Sequence, residues 1–127
     1  MKKTIFLLFF SIIICSKSYA QRGDTPLNAQ PGKCYAKCML PQTPGIKTES
    51  PSPVQSQWEE VLCGQYVTPQ FLQSLRSALI REGSKIKASG EGYDSDLKME
   101  LRVYQKNNNL PIGNLNKKTL EALSLWN

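Results

Sequence analysis

The first clear pattern of apolar and polar positions begins at Val67 and has helical spacing. Thr68 is a favourable N-cap, and Pro69 suits the first helical position. Val67 and Leu72 have the spacing of a hydrophobic staple. One apolar face comprises Phe71, Leu72, Leu75, Ala78 and Leu79. Because Gly83 supplies a left-handed stop, the pattern predicts a helix over about 69–82.

Two further helices are predicted downstream of a Gly- and Ser-rich loop. Asp94 or Ser95 can cap the second helix, which stops within Asn107–Asn109. Its apolar face comprises Leu97, Leu101 and Tyr104. Asn116 can cap a third helix over about 117–125, with Leu120 and Leu123 on one face.

The preceding segment, residues 21–57, is rich in proline and lacks sustained periodicity. It holds six of the eight prolines, Pro26, Pro31, Pro41, Pro44, Pro51 and Pro53. The sequence therefore predicts an all-α fold, in which a small three-helix bundle over 58–127 follows an irregular, cysteine-containing arm or linker over 21–57.

The N-terminus has the organisation of a secretory signal peptide. Lys2 and Lys3 precede an apolar run from Ile5 to Cys15, and small residues lead to Ala20. The run is shorter than the roughly 20 residues that span a membrane. We expect residues 1–20 to be removed after Ala20 and the protein to be exported, most simply to the periplasm, without a membrane-spanning helix.

Charge and composition argue against several classes of function. Removing the signal peptide leaves 13 basic and 10 acidic residues, a net charge of +3. This mild charge does not favour nucleic-acid binding, but it suits an anionic polymer of the cell envelope. The chain has no histidine, which excludes His-based general bases and nucleophilic triads.

A carboxylate-only glycosidase is an enzyme that needs no histidine. Such an enzyme needs two acids placed across a cleft. The closely spaced acids are Glu59 with Glu60 and Asp94 with Asp96, and neither pair lies in a cleft-forming context. We therefore expect a noncatalytic protein without a cofactor.

Three cysteines remain after processing: Cys34, Cys38 and Cys63. In an oxidising compartment one disulfide is expected, and all three pairings are possible. A bridge from Cys63 to Cys34 or Cys38 closes the longer loop and stabilises more than a Cys34–Cys38 bridge. No histidine or fourth mature cysteine completes a zinc tetrahedron, so no metal site is expected.

The segment "YQKNNNLPIGNLNKKTLEAL" sets amides and a Pro/Gly turn between two helical patterns. Pro111 restricts Leu110 to an extended conformation, and Gly113 permits positive φ. Leu110, Ile112 and Leu115 can fill the gap between the helices. Gln105 is predicted to be a structural amide that bonds loop backbone groups.

This segment resembles the closing pattern of the peptidoglycan-binding domain type 1 family. The matching positions are Tyr104, Gln105, Leu110, Pro111, Gly113, Thr119, Leu120 and Leu123. The resemblance covers about 67–127. Upstream, "PGKCYAKC" and "WEEVLC" are similar to segments that precede this module in larger envelope proteins of Gram-negative bacteria. The family's Asp-Gly pair and Thr are missing from "SGEGYDSDL", so its first half-motif is degraded.

The resemblance implies a three-helix module that binds peptidoglycan. The candidate ligand-binding residues are Tyr93, Asn107, Asn109, Asn114, Lys117 and Lys118. Lysines at a helix start could bind stem-peptide carboxylates, asparagines could bond sugar hydroxyls or N-acetyl groups, and Tyr93 could stack on a sugar.

Two functions are expected from these features. The first is a noncatalytic exported protein that binds peptidoglycan and anchors itself or a partner to the cell wall. The alternative is a structural or assembly subunit of the envelope that uses the same fold to dock on another protein. The degraded first half-motif and the odd cysteine favour the alternative.

Overall fold

The structure, a computed structural model, describes residues 25–42 and 54–127. The elements in chain order are strand β1 (Cys34–Met39), strand β2 (Ser56–Val61), a short 3-10 helix (Gly64–Tyr66), and helices α1 (Pro69–Arg81), α2 (Ser95–Asn107) and α3 (Lys117–Ala122). The predicted signal peptide and its cleavage site after Ala20 lie outside the described residues.

The three predicted helices are confirmed, and so are their N-caps. The Thr68 hydroxyl accepts a hydrogen bond from the backbone N–H of Phe71, at 3.1 Å. Asp94 caps α2 and Asn116 caps α3 in the same way. α3 ends at Ala122, earlier than predicted, because Ser124 adopts a left-handed φ of 59° and terminates the helix.

The all-α prediction, with its helical bundle, is wrong. β1 and β2 pair antiparallel, from Cys34 opposite Val61 to Met39 opposite Ser56. The domain is therefore a small mixed α/β fold of a two-stranded sheet and three short helices. β1 lies within the predicted arm, and the predicted boundary at 57/58 falls inside β2. The strand sequences "CYAKCM" and "SQWEEV" are polar and lack clean alternation, so their pairing depends on contacts distant in sequence.

One of the three possible disulfides is present, joining Cys34 to Cys63. It links the start of β1 to the residues after β2, and it is compatible with an oxidising, extracytoplasmic compartment. Cys38 is free and buried, and its thiol lies 3.2 Å from the carbonyl oxygen of Gly113. Across residues 25–42 and 54–127, none of the helices has the length and apolar character needed to cross a membrane.

The hydrophobic core lies between the three helices and the loop that joins α2 to α3. Its buried members are Leu72, Leu75, Ala78, Leu79, Leu97, Leu101, Leu115, Leu120 and Leu123. Leu115 comes from the α2–α3 loop, which therefore belongs to the core, whereas Leu110 and Ile112 are partly buried.

The sheet holds the α2–α3 loop at two places. The backbone N–H of Met39 donates to the carbonyl of Ile112 at 2.9 Å, and the N–H of Ile112 donates back at 2.8 Å. At the other end of the sheet, the N–H of Leu62 donates to the carbonyl of Leu115 at 2.9 Å. The loop is therefore bonded to both strands as well as to the helices.

Candidate functional site

Gln105 has the structural role predicted for it. Its side chain is fully buried and bonds three groups of the α2–α3 segment. Nε2 donates to the carbonyl of Asn114 and to the Thr119 hydroxyl, both at 3.1 Å. Oε1 accepts from the backbone N–H of Gly113 at 2.8 Å. This amide fixes the turn whose glycine has a φ of 103°.

Asn116 holds the same turn from the other side. Its Nδ2 donates to the carbonyl of Pro111 at 2.8 Å, while its Oδ1 accepts from the N–H and hydroxyl of Thr119. Pro111 and Leu120 are buried, and Tyr104 packs against the core. The residues that carry the family resemblance therefore contribute to folding in this chain.

The candidate asparagines lie in different surroundings. Asn109 and Asn114 adopt left-handed φ values of 55° and 56°, so both shape the backbone of the α2–α3 loop. Asn107 lines a cavity of about 270 Å³ beside Gly83 and Tyr104. Asn107 and Asn109 are exposed, and neither lines the cavity that contains Tyr93.

Lys117 and Lys118 are engaged by carboxylates of β2. The ammonium of Lys118 lies 3.0 Å from Glu59 Oε1, and Glu59 is buried. Lys117 lies 4.0 Å from Glu60 and 5.8 Å from the ring centroid of Trp126. A ligand carboxylate at the start of α3 would therefore compete with carboxylates of the protein itself.

Tyr93 and Asn114 do lie together. They line a cavity of about 260 Å³ with Lys98, Leu101 and Arg102, which we call the Tyr93 cavity. The Lys98 ammonium lies 5.1 Å from the Tyr93 ring centroid, within cation–π range. Burial raises the pKa of the Tyr93 phenol, and the charge of Arg102 opposes this increase.

Asn114 is held in the Tyr93 cavity by β1. Its Nδ2 donates to the backbone carbonyl of Lys37 at 3.2 Å and lies 4.0 Å from the thiol of Cys38. Within the described part of the chain, no donor reaches its Oδ1. β1, which the sequence did not predict, therefore positions one side of the Tyr93 cavity.

Lys98 and Arg102 are site residues that the sequence analysis also missed. Their spacing of four places them on one face of α2, beside the buried Leu97 and Leu101. Among residues 25–42 and 54–127, no carboxylate lies within 4.0 Å of either cation. Like charges at this spacing destabilise a helix slightly. This unfavourable pair is visible in the sequence and could have marked the two residues as candidates for a binding site.

Arg76 positions the loop that carries Tyr93. Its side chain is only 2% exposed, although it lies on α1. One terminal nitrogen donates to Asp94 Oδ2 at 2.8 Å and to the carbonyl of Gly92 at 3.4 Å, so the residues on both sides of Tyr93 are bonded. A Cβ at Gly90 would lie 2.5 Å from the guanidinium carbon, so any larger residue there would displace the Arg76 side chain.

Asp94 gives this anchor a pH dependence. The bond from the Leu97 N–H, and then the Arg76 guanidinium, hold the pKa of Asp94 below its ordinary value of 3.8. Because the folded-state pKa is the lower one, the stabilisation is complete above the unfolded value and is lost as pH falls through the folded value. In urea unfolding, wild type should exceed Asp94→Asn in stability at pH 6, and the difference should shrink below about pH 4. A difference that does not change with pH would contradict this role, since asparagine keeps the helix cap.

The largest of these three cavities, about 460 Å³, lies elsewhere. It is bordered by the disulfide and by Tyr66, Phe71 and Trp126. Size alone would make it the first candidate. However, none of the predicted ligand-binding residues lines it, and its two charged residues pair with each other, with Lys33 lying 3.2 Å from Glu60. The Tyr93 cavity, whose cations have no carboxylate within 4.0 Å in the described part of the chain, is the better candidate for polar recognition.

Comparisons with protein-family models, with curated proteins and with solved structures found no match. The resemblance to the peptidoglycan-binding family therefore stays a prediction from the closing motif.

Proposed function

We propose that this protein is a noncatalytic exported protein that binds peptidoglycan and anchors itself or a partner to the cell wall. The observation that supports the proposal is the Tyr93 cavity, which combines two of the predicted ligand-binding residues, Tyr93 and Asn114, with two cations. The closing motif and the N-terminal signal pattern favour the same function.

The groups around the cavity suit a ligand made of amino sugars and short peptides. The half-buried ring of Tyr93 offers an apolar surface for one face of a sugar ring. Oδ1 of Asn114 is an acceptor for an N-acetyl or peptide N–H. A cavity of about 260 Å³ holds a small part of such a polymer, which suits the many weak contacts of a wall anchor.

The contacts of the acidic side chains also agree with a binding role. Glu59 and Glu60 are paired with lysines of α3, and Asp94 is bonded to Arg76 and to the start of α2. These contacts hold the carboxylates in structural roles. We therefore propose a protein that retains wall material without cleaving it.

Cosedimentation with purified sacculi tests the function. We expect saturable retention of the folded, oxidised protein that survives moderate salt, and we expect Tyr93→Ala to weaken it about tenfold, or ~1.4 kcal/mol. Tyr66→Ala is the matched control, because Tyr66 is an exposed tyrosine at the largest cavity and should keep wild-type retention. No retention of the wild type would overturn the proposal, and equal loss in both variants would remove the Tyr93 cavity from it.

The second candidate function is docking on another envelope protein. The apolar cavity bordered by Phe71 and Trp126 favours it. A covalent link through the odd cysteine is not favoured, because Cys38 is only 1% exposed. Size-exclusion chromatography of native extract separates the two functions, since a discrete heteromer without sacculus retention supports docking.

A further inference from the structure

The Tyr93 cavity differs in charge from the other two cavities. The largest cavity contains the Lys33–Glu60 pair, and the cavity beside Asn107 is lined by Glu82 and Glu100 as well as Lys85. The Tyr93 cavity has two cations, Lys98 and Arg102, and its lining includes no acid. It is therefore the cavity whose charge is complementary to an anion.

The contrast extends to the other basic residues that have a structural role. Arg76, Lys117 and Lys118 each lie within 4.0 Å of a carboxylate of the protein. Lys98 and Arg102 have no such partner in the described residues, which is also true of Lys85, Lys87 and Lys106. They differ from those lysines because they line one cavity together, one helical turn apart, where they repel each other. An anion bound between them would offset this repulsion and would form charge-assisted hydrogen bonds.

The groups beside Lys98 and Arg102 indicate which class of anion the cavity can bind. The ammonium of Lys98 lies 5.1 Å from the Tyr93 ring centroid, so the cation and the aromatic surface are adjacent. Asn114 adds an acceptor from the α2–α3 loop, held by the Lys37 carbonyl. The cavity thus offers two cationic donors, a flat apolar surface and one acceptor for an N–H. A carboxylate joined to an amide-containing, partly apolar group matches all of them.

We infer that the Tyr93 cavity selects carboxylate-bearing ligands, with Lys98 and Arg102 as the residues that determine this specificity. The inference rests on the proposed binding of peptidoglycan. In that polymer the free carboxylates belong to the stem peptides, since the glycan chain carries its lactyl carboxyl as an amide to the peptide. The recognised part is therefore the stem peptide, and the sugar has the minor role.

Three soluble probes test the inference by isothermal titration calorimetry of the mature, oxidised protein. They are a disaccharide tetrapeptide with free carboxylates, the same compound with its carboxylates converted to amides, and a neutral tetramer of N-acetylglucosamine. We expect binding of the first probe, a loss of about tenfold on amidation, and weaker binding still of the neutral tetramer. Affinity for the first probe should also fall as salt rises.

The variant Lys98→Ala/Arg102→Ala should lose about tenfold in affinity for the free-carboxylate probe and nothing for the amidated one. The matched control is Lys85→Ala/Lys106→Ala, which removes the same charge from exposed residues outside the cavity. Thermal unfolding verifies that both variants fold. Equal losses in both double variants would show a nonspecific charge effect and would overturn the inference.

Failure of the inference and failure of the proposed function give different results. If the free and amidated probes bind equally, or if sacculi retain the protein while the free-carboxylate probe does not bind, the wall-anchor function stands and the carboxylate specificity is wrong. If neither sacculi nor any probe binds, both proposals are overturned.

Discussion

Replacing both Cys34 and Cys63 with alanine is expected to lower the free energy of unfolding by about 3 to 4 kcal/mol. The bridge spans 29 residues, and it restricts the unfolded chain by closing this loop. A domain of this size buries a small core, so such a loss is a large fraction of its total stability. Urea unfolding of the oxidised wild type and of the double variant measures the difference.

Cys38→Ala is the control for this prediction. It removes the free cysteine of the described residues without breaking the bridge, and it should cost about 1 kcal/mol from lost packing. If the double variant loses no more than this control, the disulfide has no special role in stability. The double variant should also bind sacculi less well, because β1 holds Asn114 through the Lys37 carbonyl.

Gln105→Leu is expected to cost about 3 kcal/mol of stability. Leucine has a similar size, so the main effect is the loss of three buried hydrogen bonds at about 1 kcal/mol each. The backbone N–H of Gly113 would be left without its partner. Urea unfolding should show a lower midpoint with little change in slope.

The same substitution at Gln73 provides the control. Gln73 is exposed on α1 and makes one long side-chain contact, at 3.4 Å to the carbonyl of Ala88. Gln73→Leu should change stability by less than about 0.5 kcal/mol. Equal effects at the two positions would mean that the buried amide is not what fixes the α2–α3 turn.

The helices could be predicted because their signals are local. The caps at Thr68, Asp94 and Asn116 bond N–H groups three residues ahead, within one turn of chain. Gln105 and Gly113 are close in sequence too, which is why the role of that amide was accessible. The residues that begin and end each helix therefore lie within a few positions of it in the sequence.

The sheet could not be predicted in this way. β1 and β2 are separated by a proline-rich segment, and the partner of each strand residue lies some 20 residues away. The strands are stabilised by the disulfide, by each other and by the α2–α3 loop, and none of these leaves a periodic pattern in the sequence. Polar residues such as Glu59 and Glu60 also make the sequence of β2 resemble that of an exposed loop.

Because the sheet was not predicted, the sequence pointed to other cations for the candidate site than the structure does. Without β2, Lys117 and Lys118 had no visible partners, so they were the natural candidates for an anion. The structure pairs them with Glu60 and Glu59, whereas Lys98 and Arg102 at the Tyr93 cavity have no carboxylate within 4.0 Å among the described residues. Tyr93 and Asn114 were predicted because an aromatic and an amide in loops are candidates whatever the fold.

The paired hydrogen bonds between Met39 and Ile112 have a consequence for the order of folding. These residues lie more than half the chain apart, so closing the contact costs conformational entropy that local helix formation does not repay. We therefore expect the β1–β2 sheet and its contacts with the α2–α3 loop to form late and together, and folding to be slower than for a helical module of equal size. A fragment that begins at Val67 would retain the three helices and lose the strands that complete the tertiary structure.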